Sequence, residues 1–131
     1  MNLERILIVD DNASHMKLAA HMLELGGYQV LQAANAEDGI ELAHKERPAM
    51  ILMDLRLPGK DGLTAIRELK ADPATRGIKV VAVTSYRAED SEHSIRASGA
   101  DGFILKPYHY DHFLGTVKTI LGQSRSDTVA P

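Results

Sequence analysis

Three acids, a hydroxyl and an amine stand where short apolar runs break off. Asp10 and Asp11 follow Arg5–Val9, Asp54 follows 49–53, Thr84 follows 78–83, and Lys106 follows Gly102–Leu105. Carboxylates forced together repel one another and cannot all stay ionised without a cation. Hard oxygens with room for water suit a divalent ion that keeps part of its hydration shell, hence Mg²⁺ or Mn²⁺. Such an ion offsets the charge that builds on a phosphoryl group in transfer. Lysine provides a point positive charge for a phosphoryl oxygen, and threonine a small hydroxyl donor. A carboxylate can itself be the nucleophile and become an acyl phosphate. Asp54 is the central acid of the set.

The elements that must position these groups alternate strictly. The β-branched run Arg5–Val9 reads as a buried strand, followed by a helix capped by Asn12 with Met16, Ala20 and Leu23 on its apolar face, ending at Gly26 and Gly27. A strand over 28–33 leads to a second helix, opened by Asn35 and Asp38 at capping-box spacing and stopped by Pro48. The third strand, 49–53, ends at Asp54. Pro58, Gly59, Asp61 and Gly62 mark a loop, and a helix with Leu63, Ile66 and Leu69 runs to Asp72 and Pro73. The strand 78–83 precedes a weakly apolar helix over 88–98, whose main anchor is Ile95. Gly102–Leu105 is the fifth strand, and the last helix carries Phe113, Leu114, Val117, Ile120 and Leu121.

Five strand–helix units predict an α/β fold: a doubly wound, five-stranded parallel sheet with five helices. Right-handed crossovers leave few topologies, and the flavodoxin-like order 2-1-3-4-5 suits this length. Ligands of open α/β sheets bind outside the carboxyl ends of the strands. All five polar side chains should therefore share one crevice. Residues 1–121 form the expected domain, and 122–131, small and polar, a flexible tail.

Composition narrows the function. The net charge of -3 has no basic field for nucleic acid, and without cysteine there is no disulfide, thiolate metal site or cysteine nucleophile. The apolar runs are too short for a membrane span, so a cytoplasmic protein is expected. His109 and His112 read as a surface pair rather than half a zinc site.

The stretches ILIVDDN, ILMDLRLPGKDG, VVAVTS and GADGFILKP, in this order and spacing, resemble the four motif blocks of response-regulator receivers. That resemblance implies phosphoryl transfer onto Asp54 from a phosphohistidine, on a sensor histidine kinase or a histidine phosphotransfer protein. It implies Mg²⁺ held by Asp11, Asp54 and the backbone carbonyl of Arg56, with Asp10 acting largely through water. Thr84 and Lys106 would hold the phosphoryl oxygens. Thr84, Phe103 and Pro107 would form the switch, with a cis peptide between Lys106 and Pro107. Phenylalanine at 103 keeps a packing switch but lacks the hydroxyl a tyrosine would bring. Arg56 and Tyr86 would flank the pocket mouth and slow hydrolysis of the acyl phosphate.

The implied protein is a stand-alone, monomeric phosphoacceptor switch. It is not an enzyme in its own right, though it assists its own phosphorylation and dephosphorylation, and its output passes to a protein partner. Alternatives are a receiver cut from a hybrid kinase and a receiver-like docking module that is never phosphorylated. A flavin-binding flavodoxin would need a phosphate loop where Asp10, Asp11 and Asn12 stand. A phosphatase of the aspartyl-phosphate class would carry its nucleophile on the first strand.

Overall fold

The structure is a computed structural model. It describes residues 3–85 and 92–129, with side chains as far as 122. Tyr86, Arg87, Glu89, Asp90 and the expected start of the fourth helix at Ala88 lie outside the described residues.

Five strands, β1 (Arg5–Val9), β2 (Gln29–Ala33), β3 (Met50–Asp54), β4 (Lys79–Thr84) and β5 (Gly102–Leu105), form one parallel sheet in the order β2-β1-β3-β4-β5. The helices are α1 (Ala13–Leu25), α2 (Ala36–Glu46), α3 (Gly62–Ala71), α4 (Glu92–Ala97) and α5 (Tyr110–Val129). This is the expected topology. Ile6, Leu7, Ile8 and Val9 are all fully buried, as are Met50 to Met53, because helices cover both faces of a parallel sheet.

Successive strand side chains point to opposite faces, so each run feeds two cores. Ile6, Ile8, Met50, Leu52, Val81, Val83 and Ile104 meet α1 and α5 through Leu23, Phe113 and Val117. Leu7, Val9, Ile51, Met53, Val80 and Ala82 meet α2, α3 and α4 through Ala43, Ile66, Leu69 and Ile95. Gly39 of α2 sits so close to β1 that a Cβ there would lie 2.7 Å from Val9 Cγ2.

Local chemistry sets the helix ends. Asn12, Asn35 and Asp61 each accept a backbone N–H from the third residue onward, at His15, Asp38 and Thr64, which satisfies an otherwise orphaned donor. The α2 helix stops at Arg47, a non-glycine residue with φ of 46°, just before Pro48. The α5 helix runs on to Val129, whereas its apolar pattern ends at Leu121. Apolar periodicity is blind to turns that lie beyond the last apolar residue of the stripe.

An ion pair clips α2 to the end of α3. His44 Nδ1 lies 3.0 Å from the Ile40 carbonyl and Nε2 lies 2.7 Å from Asp72 Oδ2. The bond to Asp72, then that to Ile40, raises the His44 pKa, while the Ala74 amide and then His44 lower that of Asp72. The histidine's contribution to stability is therefore full below its unfolded pKa, about 6.5, and fades as pH rises through its raised folded value. The Asp72 contribution is full above the ordinary aspartate value of 3.8 and fades as pH falls through its lowered value. The stability gap between the wild type and His44→Gln should shrink between about pH 6 and pH 8. It should be small, and smaller in high salt, because the pair is exposed. Urea midpoints across that range check this, and a pH-independent gap would contradict it.

Candidate functional site

The carboxyl ends of β1, β3, β4 and β5 bring the expected residues to one place. Asp10 follows β1 and is buried; its Oδ1 accepts the Asn12 backbone N–H at 2.9 Å, which turns the chain into α1. Asp11 is exposed at the rim. Asp54 is the last residue of β3 and is buried; its Oδ1 accepts the Arg56 backbone N–H at 2.8 Å. Asp10, Asp11 and Asp54 each offer an oxygen within 4.8 Å of the other two.

Lys106 reaches into this cluster from the end of β5. Its Nζ donates to Asp10 Oδ2 at 2.9 Å and to Asp54 Oδ2 at 3.0 Å, and the side chain is only 9% exposed. Its backbone N–H donates to the Thr84 carbonyl at 2.8 Å, tying the lysine to the end of β4. Thr84 itself is buried as the last residue of β4. The Lys106–Pro107 peptide is cis. Phe103 is half-buried on β5, in register with Ala82, and packs on the α3 and α4 side. Arg56 is exposed and Tyr86 lies outside the described residues, so the expected pair at the pocket mouth is described on one side alone.

Electrostatics explains what this cluster can hold. Burial, opposed by the Arg56 amide and by Lys106 and reinforced by Asp10, raises the Asp54 pKa above the ordinary carboxylate value. Tyr108 feels the same negative field: burial, then Asp10 and Asp54, push its hydroxyl well above its usual range. The ring is held by Phe113, with centroids 4.7 Å apart. One ammonium against three carboxylates leaves these four side chains net negative. The donors are all hard oxygens, two buried and one open to water. That set fits a divalent cation that retains water.

One neighbour was not legible in the sequence. His15, in the first turn of α1, puts Nδ1 2.7 Å from Lys106 Nζ. A lone histidine on a helix carries no spacing signal, and only the fold reveals that its turn faces the lysine.

Comparison with known proteins agrees with this geometry. The family model for the response regulator receiver domain matches residues 6–118. The polar-differentiation response regulator DivK of Brucella anthropi is 37% identical over 119 residues, covering 91% of this chain and 97% of that protein. A response regulator receiver domain protein from Methanospirillum hungatei superposes with a TM-score of 0.88 at 29% identity, covering 96% of this chain and 99% of that one. The receiver domain of a sensor histidine kinase from Pseudomonas aeruginosa superposes with a TM-score of 0.85 at 27% identity, covering 92% and 99%; it was solved with a magnesium ion coordinated in its active site cleft. Among the described residues of the present chain, no helix is long and apolar enough to cross a membrane.

Proposed function

Because the chain belongs to the response-regulator receiver family, we propose that it is a phosphorylation switch whose acceptor is Asp54. The observation that carries this reading is Asp54 Oδ2 held 3.0 Å from Lys106 Nζ within a cluster of three carboxylates. The donor is a phosphohistidine on a sensor kinase or phosphotransfer protein. An Asp54 carboxylate oxygen bonds to phosphorus as the phosphorus–nitrogen bond breaks, and the departing imidazole keeps that electron pair and takes up a proton. Burial that raises the Asp54 pKa also makes its ionised oxygen more basic, hence a stronger nucleophile.

Asp11, Asp54 and the Arg56 carbonyl are the proposed ligands of Mg²⁺, with Asp10 behind water. A divalent cation there supplies positive charge to the phosphoryl oxygens in transfer. Lys106 takes one phosphoryl oxygen and the Thr84 hydroxyl another. Drawing Thr84 toward the phosphoryl group opens space near β4 and β5, into which Phe103 repacks; that movement presents the phosphorylated state to a protein partner. The switch is proposed to span 1–121 and to act as a cytoplasmic monomer. The names of its relatives, a DivK regulator and a kinase receiver with bound magnesium, support this chemistry.

Incubation with a small acyl phosphate and Mg²⁺ tests the proposal by intact mass. One added phosphoryl group is expected, and none with excess chelator. No addition, or addition indifferent to chelation, refutes the reading.

A further inference from the structure

We propose that His15 is a positioning residue for Lys106, its Nδ1 lone pair serving as the third acceptor that fixes the ammonium beside Asp54. This rests on the phosphorylation reading for its consequence, but not for the contact itself. An ammonium has three N–H donors and no lone pair. Two of the donors are taken by Asp10 at 2.9 Å and Asp54 at 3.0 Å, and His15 Nδ1 at 2.7 Å takes the third. The three acceptors stand on α1, at the end of β1 and at the end of β3, while the lysine comes from beyond β5. With two acceptors the Nζ can still swing about the line joining them. A third acceptor off that line pins it to a point.

The contact also specifies the state of the ring. Because lysine can only donate, Nδ1 must be unprotonated, so His15 is a neutral imidazole with its proton on Nε2. A neutral third acceptor suits the reaction better than a carboxylate would. An acid at this position would add a fourth negative charge to a pocket that must receive a phosphoryl group. The imidazole holds the lysine without repelling that group. When phosphoryl oxygens arrive, the ammonium can exchange carboxylates for them and keep His15 as its fixed partner. Among the described residues, the charged groups joined through this contact are Lys106 itself and, beyond it, Asp10 and Asp54.

Three variants separate positioning from bulk. Asn carries its amide oxygen about where histidine carries Nδ1, Gln places it one methylene farther out, and Ala offers no acceptor. With acetyl phosphate and Mg²⁺, His15→Ala should label about three- to tenfold more slowly, since a hydrogen bond to a charged group is worth roughly one power of ten. His15→Asn should label within about twofold of wild type, and His15→Gln should resemble Ala. Equal rates in wild type and Ala, or equal slowing in all three variants, would overturn the proposal. Ring ¹⁵N spectra of the unphosphorylated protein decide the contact separately. They should show a neutral His15 protonated on Nε2, and Lys106→Met should abolish that preference. A ring protonated on Nδ1, or a preference unchanged by Lys106→Met, would also overturn it. A wild-type chain that takes no label would sink the acceptor reading instead, and the ring spectra would still judge the contact.

Discussion

Asp54→Asn should fold normally and lose acceptance of a phosphoryl group by at least about a thousandfold, the scale seen when a nucleophile is removed. The amide is nearly isosteric with the carboxylate and keeps an oxygen for the Arg56 N–H, which Asp54 Oδ1 accepts at 2.8 Å. It lacks the charge that makes the oxygen a nucleophile. Stability should move the other way. The folded pKa of Asp54 is raised, mainly by burial, so the ionised acid weighs against the folded state. Its stabilising share is present below the unfolded value and lost as pH rises through the raised one. At neutral pH without metal, the asparagine variant should therefore be at least as stable as wild type. Some of that gain is offset, because the amide NH₂ facing Lys106 cannot replace the acceptor at 3.0 Å. Intact mass after treatment with acyl phosphate, beside a thermal melt, measures both. Undiminished labelling would move the acceptor to another residue.

Gly62→Ala should cost about 3 kcal/mol, near the upper end for overpacking a tight site. Gly62 opens α3, and its backbone lies against the end of β3. A Cβ there would stand 2.3 Å from the Asp54 carbonyl oxygen and 2.7 Å from Leu55 Cα. Both are backbone atoms, so no side chain can turn aside to make room. Relief requires moving either α3 or the strand end that carries Asp54, and on the proposed reading labelling should slow along with the loss of stability. Gly115→Ala is the control. Nothing lies within 4 Å of a Cβ on Gly115, in α5, and alanine in a helix interior is favoured there by up to about 1 kcal/mol. Urea titrations should give midpoints displaced in opposite directions with unchanged slopes. A wild-type midpoint for Gly62→Ala would show that the loop yields freely.

The two glycines show what was and was not legible in the sequence. The turn around Gly59, Asp61 and Gly62 was legible because turn residues cluster between apolar runs. That Gly62 is pressed against Asp54 was not, because a close approach between backbones leaves no periodic trace. The strands were read to within a residue or two, since β-branched runs buried on both faces admit few other readings. The polar residues of the site were legible for a related reason. A polar side chain at the end of a buried strand stands out, and the ends of four strands carry five of them, four charged and one a hydroxyl. Helix ends were harder. The α5 helix outlasts its apolar stripe by eight residues, and no apolar pattern marks where such a helix stops. His15 escaped because its partner is 91 residues away in the chain.

That distance has a further bearing. Lys106 neutralises acids at positions 10 and 54, respectively 96 and 52 residues before it. A chain still emerging from the ribosome holds Asp10, Asp11 and Asp54 long before it holds their counter-charge. Until β5 docks, the half-built crevice is an acidic patch that attracts free cations and repels free phosphate. On the proposed reading, competence to receive a phosphoryl group is therefore expected only once Lys106 is in place, and an amino-terminal fragment ending before it should take no label.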